Sequence, residues 1–249
     1  MSPAATHTAT DLSAAWQDDG AWQERLEADR QRAQAVQTPP QRTVTDTVVE
    51  RALAAGAEAV ALTGSTVRMR RTAISDLDYH VVGSRPSVSD LPGEVDIYVG
   101  DRDAFWTKLR GGDDFVQWTL REGCILVDSG IFRDGLRAIA VEGLWPDPGP
   151  KLERLPAHVG LIARLLEMGD RDAAQAELRA ALTSAARAVL LAAEVFPLAR
   201  AELPDQLRAI GGSSLGDALQ VLIETEPSLH ELGHHRVILG NAIGLALPA

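Results

Sequence analysis

Apolar positions along this chain fall into two regimes. Between residues 59 and 99 they form short runs: Ala59-Val-Ala-Leu-Thr63, then Leu77-Asp-Tyr-His-Val-Val82, then Val95-Asp-Ile-Tyr-Val99, the last two alternating with polar residues. Alternation at a period of two marks strands. Beyond Lys151 the spacing changes to three and four over 152–168, 170–196 and 203–210, with Gly169, Pro197 and Gly211-Gly212 as breaks. That spacing predicts helices, with Ser213 or Ser214 capping another to about Thr225 and Ser228 opening a last one. The chain therefore reads as a small sheet-bearing domain followed by an all-helical bundle. Trp145-Pro-Asp-Pro-Gly-Pro150 carries three prolines in its last five residues and is the expected boundary.

Ahead of the strands, helical spacing predicts an N-terminal helix from a cap at Asp11 or Ser13 to about Val36. Trp16, Trp22, Leu26 and Ala33 form its apolar stripe, which would dock on the main domain or on a second copy in a homodimer. Thr38-Pro39-Pro40 is expected to end it. A second helix runs from about Thr43 to Ala55 and closes at Gly56. After the third strand, Asp101 or Asp103 is expected to cap a helix to Leu109, another helix ends at Glu122 before Gly123, and 125–128 is a fourth strand. The pattern blurs after Ile131. The expected segments are an N-terminal extension over 1–42, a sheet domain over 43–147 and a helical domain over 148–249.

The candidate chemistry sits on the second and third strands. Side chains alternate faces along a strand, so Asp76, Asp78 and His80 share one face and Leu77, Tyr79 and Val81 the other. Asp96 lies opposite Val95, Ile97 and Val99. If the third strand pairs beside the second, three carboxylates meet. Like charges so placed are unfavourable unless a cation joins them. Mg²⁺ takes hard oxygen ligands, commonly a few carboxylates and the phosphates of a nucleotide. Gly64-Ser65, at the end of the first strand, offers backbone N–H groups that can approach a phosphate closely, and a hydroxyl donor.

Leu62-Thr63-Gly64-Ser65, Ser75-Asp76-Leu77-Asp78 and Val95-Asp96-Ile97 together resemble the motif of the polymerase-β-like nucleotidyltransferases, in particular the small bacterial and aminoglycoside-type members. The motif runs apolar strand, Gly-Ser, Asp-x-Asp and a third acid on a later strand. The resemblance covers about residues 46 to 130, and 120–128 is similar to the helix-Gly-strand segment that closes the small members. Arg68 looks like the Arg that often follows the Gly-Ser turn, whereas Met69 stands where Gly is usual. The resemblance implies an α+β fold, a small mixed sheet with flanking helices ahead of the helical bundle. It implies that Asp76, Asp78 and Asp96 hold one or two Mg²⁺, with Asp96 alternatively acting as base, and that Gly64, Ser65, Arg68 and Ser75 bind the nucleotide. ATP is the implied donor and AMP the group transferred. Arg70 and Arg71 lie where cations would meet the triphosphate.

Composition narrows the acceptor. The net charge is −11 and no basic stripe is present, which disfavours a nucleic-acid substrate. An acidic protein with a helical second domain suits a small, hydroxylated, cationic acceptor such as an aminoglycoside, and hence antibiotic resistance. A protein acceptor of the toxin–antitoxin kind, or a nucleotide-binding module without chemistry, are the alternatives. Cys124 is the single cysteine, a buried strand residue by position, so no intrachain disulfide forms. The first sixteen residues lack the basic and apolar regions of a signal peptide, and no apolar run is long enough to span a membrane, so a cytoplasmic location is expected.

One motif points elsewhere. His230-Glu-Leu-Gly-His234 matches H-E-x-x-H, which in zinc peptidases places two ligands one turn apart. The fifteen residues after it hold no acid, and His235 is their one possible ligand. Ser228 and Glu231 also have the spacing of a capping box at a helix start, the simpler account.

Overall fold

The computed structural model describes residues 16–69, 76–91 and 95–246. Two compact units divide after Pro146, one spanning Met1–Pro146 and the other Asp147–Ala249.

The first unit is built on a four-stranded mixed sheet. In chain order its elements are α1 (Asp19–Val36), α2 (Pro39–Ala54), β1 (Ala59–Thr63), the single turn α3 (Gly64–Val67), β2 (Leu77–Val82), β3 (Val95–Gly100), α4 (Arg102–Arg110), α5 (Asp114–Glu122), β4 (Cys124–Asp128) and α6 (Ile131–Glu142). The strand order is β3-β2-β1-β4. β1 runs antiparallel to both neighbours, and β2 pairs in parallel with β3. All five residues of β1 are buried, as suits a central strand covered on both faces.

Several expected boundaries move, each for a local reason. Asp18 caps α1 by accepting from Ala21 N, so the helix begins there; Asp11 and Ser13 lie outside the described residues. Pro39 and Pro40 open α2 instead of merely ending α1. Proline at the first helical positions gives up an N–H that would have no partner anyway. After Ile131 there is a helix where the sequence pattern blurs. Asp128, at the end of β4, accepts from Phe132 N at 2.9 Å and from Arg133 N at 3.2 Å, and so starts α6. Burial pushes the Asp128 carboxyl up, against the pull of those backbone bonds.

Side chains bond to both edge strands of the sheet. On β4, Asp29 of α1 accepts from Ile125 N at 3.1 Å, and Arg32 donates to the carbonyls of Glu122 and Gly123. Asp29 is buried and paired with Arg25 and Arg32. The α1 stripe of Trp22, Leu26 and Ala33 is buried, as its spacing requires. On β3, Arg85 donates to Ile97 O at 2.9 Å. Edge N–H and C=O groups left open would invite pairing with another chain.

The second unit is all helical: α7 (Gly149–Glu167), α8 (Arg171–Ala192), a 3₁₀ turn at Arg200–Glu202, α9 (Leu203–Ala209), α10 (Ser213–Glu224) and α11 (Leu229–Ala246). Its core joins Leu155 and Ile162 of α7, Leu178 and Leu182 of α8, and Leu219, Leu222, Leu232 and Leu239 of α10 and α11. Pro150 sits in the first turn of α7, so the proline-rich stretch starts a helix as well as dividing the units. Among the described residues, no helix is long and apolar enough to cross a membrane. The chain is an α+β protein: a small mixed sheet with flanking helices, followed by a helical unit.

Candidate active site

The pairing of β2 with β3 sets the site. Their register places Asp78 opposite Asp96 and His80 opposite Tyr98. Directly paired residues project to the same face, so the two carboxylates stand side by side. Asp76 precedes β2 by one residue, and its spacing of two from Asp78 is the one that returns to that face. Asp96 is exposed on the edge strand, whereas Asp76 and Asp78 are half-buried.

Among the described residues, Asp76 has an unsatisfied carboxylate oxygen. Its Oδ1 is buried and has no hydrogen-bond partner among the described residues. Leaving a buried acceptor unsatisfied costs about 1–3 kcal/mol, more for a charged group. As the side chains stand, no three His, Cys, Asp or Glu residues among those described lie close enough together to hold one metal ion. The register thus brings Asp78 and Asp96 together, and the three carboxylates do not close into one group. Mg²⁺ needs only one or two carboxylates beside the oxygens of a phosphate, so Asp76 and Asp78 are a sufficient pair for it.

Gly64 is held against them. Thr63 is the β1 partner of Asp78 and donates its hydroxyl to Asp78 O at 3.2 Å. The next residue, Gly64, turns the chain away at φ +72, and a Cβ there would meet the Asp78 carboxylate. The turn then runs through Ser65, half-buried, to Arg68. Met69 takes φ +54, a left-handed conformation that glycine adopts freely. The residue type departs from the motif while the backbone conformation there suits a glycine.

Arg68 has a structural engagement. It forms an ion pair with Glu122 at 2.9 Å, and both side chains are about nine-tenths buried. Because Arg32 of α1 binds the Glu122 carbonyl, the Gly64 turn, the end of α5 and the first helix are tied in series. Ser75, Arg70 and Arg71 lie outside the described residues.

Further along the same face the polar site gives way to an aromatic cluster. His80 is buried, its Nδ1 lies 3.0 Å from Thr119 Oγ1, and its ring packs among Tyr98, Phe105, Phe115 and Phe132. Burial, helped by the Lys108 charge, pushes its pKa down to about 3. The ring is therefore neutral at ordinary pH. His80 shares the carboxylate face by spacing, but it serves the core.

The H-E-x-x-H segment lies in α11. Glu231 accepts from Ser228 N at 2.8 Å and from Ser228 Oγ at 2.7 Å. Its carboxylate closes the capping box expected from the spacing, and those bonds hold it below the usual range. The capping box is what the segment builds, and no group of three possible metal ligands occurs among the described residues.

No family model and no curated protein matches this sequence. Among solved structures, the chain is similar to a nucleotidyltransferase-like protein from Exiguobacterium sibiricum 255-15, with 16% identity over 82% of this chain and 75% of that one and a TM-score of 0.43.

Proposed function

We propose that the first unit is a nucleotidyltransferase that moves a nucleoside monophosphate from a triphosphate to the hydroxyl of a small acceptor. The observation that carries this reading is the buried, unpartnered Oδ1 of Asp76, on the face of Asp78 and Asp96 and beside a turn with room for glycine alone. A divalent cation bound by Asp76 and Asp78 would neutralise the charge of the triphosphate, the chemistry such ions supply in phosphoryl transfer. Gly64 and Ser65 offer a backbone N–H and a hydroxyl to the phosphates. Asp96, more exposed and on the edge strand, is placed to take the proton of the acceptor hydroxyl as its oxygen attacks the α-phosphorus and pyrophosphate departs. Most of the rate would come from positioning and charge neutralisation. Arg68, held by Glu122, acts by fixing the turn. ATP as donor rests on the motif resemblance.

The test is pyrophosphate release from Mg-ATP by wild type and Asp76→Asn, with hydroxylated small molecules as acceptors. Acceptor-dependent release that the substitution abolishes supports the reading. AMP appearing on a protein instead would move the acceptor to the toxin–antitoxin class. Failure of the wild type to bind Mg-ATP would overturn it.

A further inference from the structure

The acceptor side of this site has a chemistry of its own. Two residues past Asp96 on the same face of β3 stands Tyr98, about 6.6 Å further along the strand. Its ring meets Phe115 of α5 edge-on at 4.7 Å and His80 at 5.0 Å. Tyr98 and Phe115 are both half-buried, so each keeps part of its ring surface in solvent. The ring behind them is fixed, because His80 is buried, neutral and bonded to Thr119. A wall so held loses little freedom when something packs on it.

Lys108 of α4 completes the wall. Its Nζ reaches the Tyr98 hydroxyl and lies 4.5 Å from the ring centre. Lys108 and Lys151 are the only lysines among the 24 Lys and Arg residues of the chain. Neighbouring cations are occupied: Arg102 by Glu58, Arg110 by Glu142 and Trp106, and Arg85 by Ile97 O. Lys108 is exposed, and the carboxylate whose charge acts on it, Asp113, forms no close ion pair with it among the described residues. One of its three N–H donors is given to the Tyr98 hydroxyl.

On the nucleotidyltransferase reading of the site, we infer that Tyr98, Phe115 and Lys108 form the acceptor subsite, and that the acceptor is a ring-bearing hydroxy acid. Its ring packs on Tyr98 and Phe115, its carboxylate meets Lys108, and its hydroxyl reaches Asp96. A polycation would meet the ammonium as a like charge, so an aminoglycoside fits this wall poorly despite the acidity of the whole chain. Asp96 and Asp113 pull the other way, so the preference for an acid over a polycation rests on the contact with Lys108 itself.

The experiment uses the full chain and three probes: phenyl β-D-glucuronide, phenyl β-D-glucoside and kanamycin. Mg-ATP binding is measured by equilibrium dialysis, probe binding by calorimetry, and transfer by pyrophosphate release. The glucuronide is expected to bind and to serve best. Lys108→Gln should raise its half-saturating concentration about tenfold, the loss of one charge-assisted hydrogen bond. The glucoside, which has no carboxylate for Lys108 to meet, should lose several-fold less than the glucuronide, and Mg-ATP binding is the control for the nucleotide half of the site. Tyr98→Ala should weaken both glycosides. If Mg-ATP binds but the glucuronide does not, or kanamycin is preferred, or Lys108→Gln changes nothing, the subsite is wrong and the nucleotide half of the site stands. If Mg-ATP does not bind, the nucleotidyltransferase reading itself fails.

Discussion

The α-carbon of Gly64 is so close to the side chain of Asp78 that a Cβ on it would lie 2.8 Å from Asp78 Cγ, and closer still to Oδ2. Gly64→Ala therefore forces the carboxylate to move. It also places alanine at φ +72, which costs about 1–2 kcal/mol. Transfer activity is expected to fall about a hundredfold, the cost of misplacing a catalytic group by about an ångström. Pyrophosphate release and a urea melt measured side by side check this. A normal rate in Gly64→Ala would show that the Asp78 position is not critical.

Asp76→Asn should remove activity without removing stability. The wild-type chain keeps a buried carboxylate oxygen without a partner, so replacing it with a neutral amide leaves the melting temperature of the free protein level or higher. Mg-ATP at about a hundred times its dissociation constant should raise the wild-type melting temperature by about 5–10 °C, and should not raise that of the variant. A variant still stabilised by Mg-ATP would dissociate Asp76 from the cation.

Arg68 and Glu122 are expected to fail singly and to recover together. Removing one member of a buried ion pair leaves the other uncompensated, a loss of about 3–5 kcal/mol, whereas an apolar pair of similar volume can be neutral. Arg68→Met and Glu122→Leu should each lower the denaturation midpoint, and the double variant should regain most of the loss. Equal and additive losses would mean that the pair is not coupled.

The buried His80 makes stability depend on pH in one direction. Unfolded, the ring titrates near 6.5; folded, it resists protonation down to about 3. The folded state therefore binds fewer protons between those values. Stability is full above pH 6.5 and falls as pH drops through this window, by up to about 1.4 kcal/mol per unit. Chemical denaturation at about pH 7, 6, 5 and 4 should show that decline, and His80→Leu should flatten it. An unchanged slope in the variant would assign the acid sensitivity to another group.

Much of this fold is legible in residue order. Ala59–Thr63, Leu77–Val82 and the strand at Val95 alternate or run apolar strongly enough to be strands. The face shared by Asp78 and His80 follows from a period of two. Three features need the fold. The start of α6 depends on Asp128, a side chain that reads equally well as the end of a strand, so the helix is obscured in the sequence. The engagement of Arg68 depends on Glu122, fifty-four residues later, and local spacing carries no record of such a pair. Tyr98 and Lys108 give no signal of their own, because an aromatic in a strand and a lysine on a helix are ordinary until β3 is seen beside β2.

The clamp of α1 on β4 also sets an order of events in synthesis. Asp29 and Ile125 are joined across ninety-six residues, and Arg32 reaches Glu122 across ninety. At about 5–20 residues per second, α1 waits roughly 5–20 s on the ribosome before its strand exists. Trp22 and Leu26 share their core with Ala59, Ala61 and Val82 as well as with Ile125, so part of their cover is made earlier and the rest only with β4. A helix made early is thus fully covered only when a strand ninety-six residues later has been added.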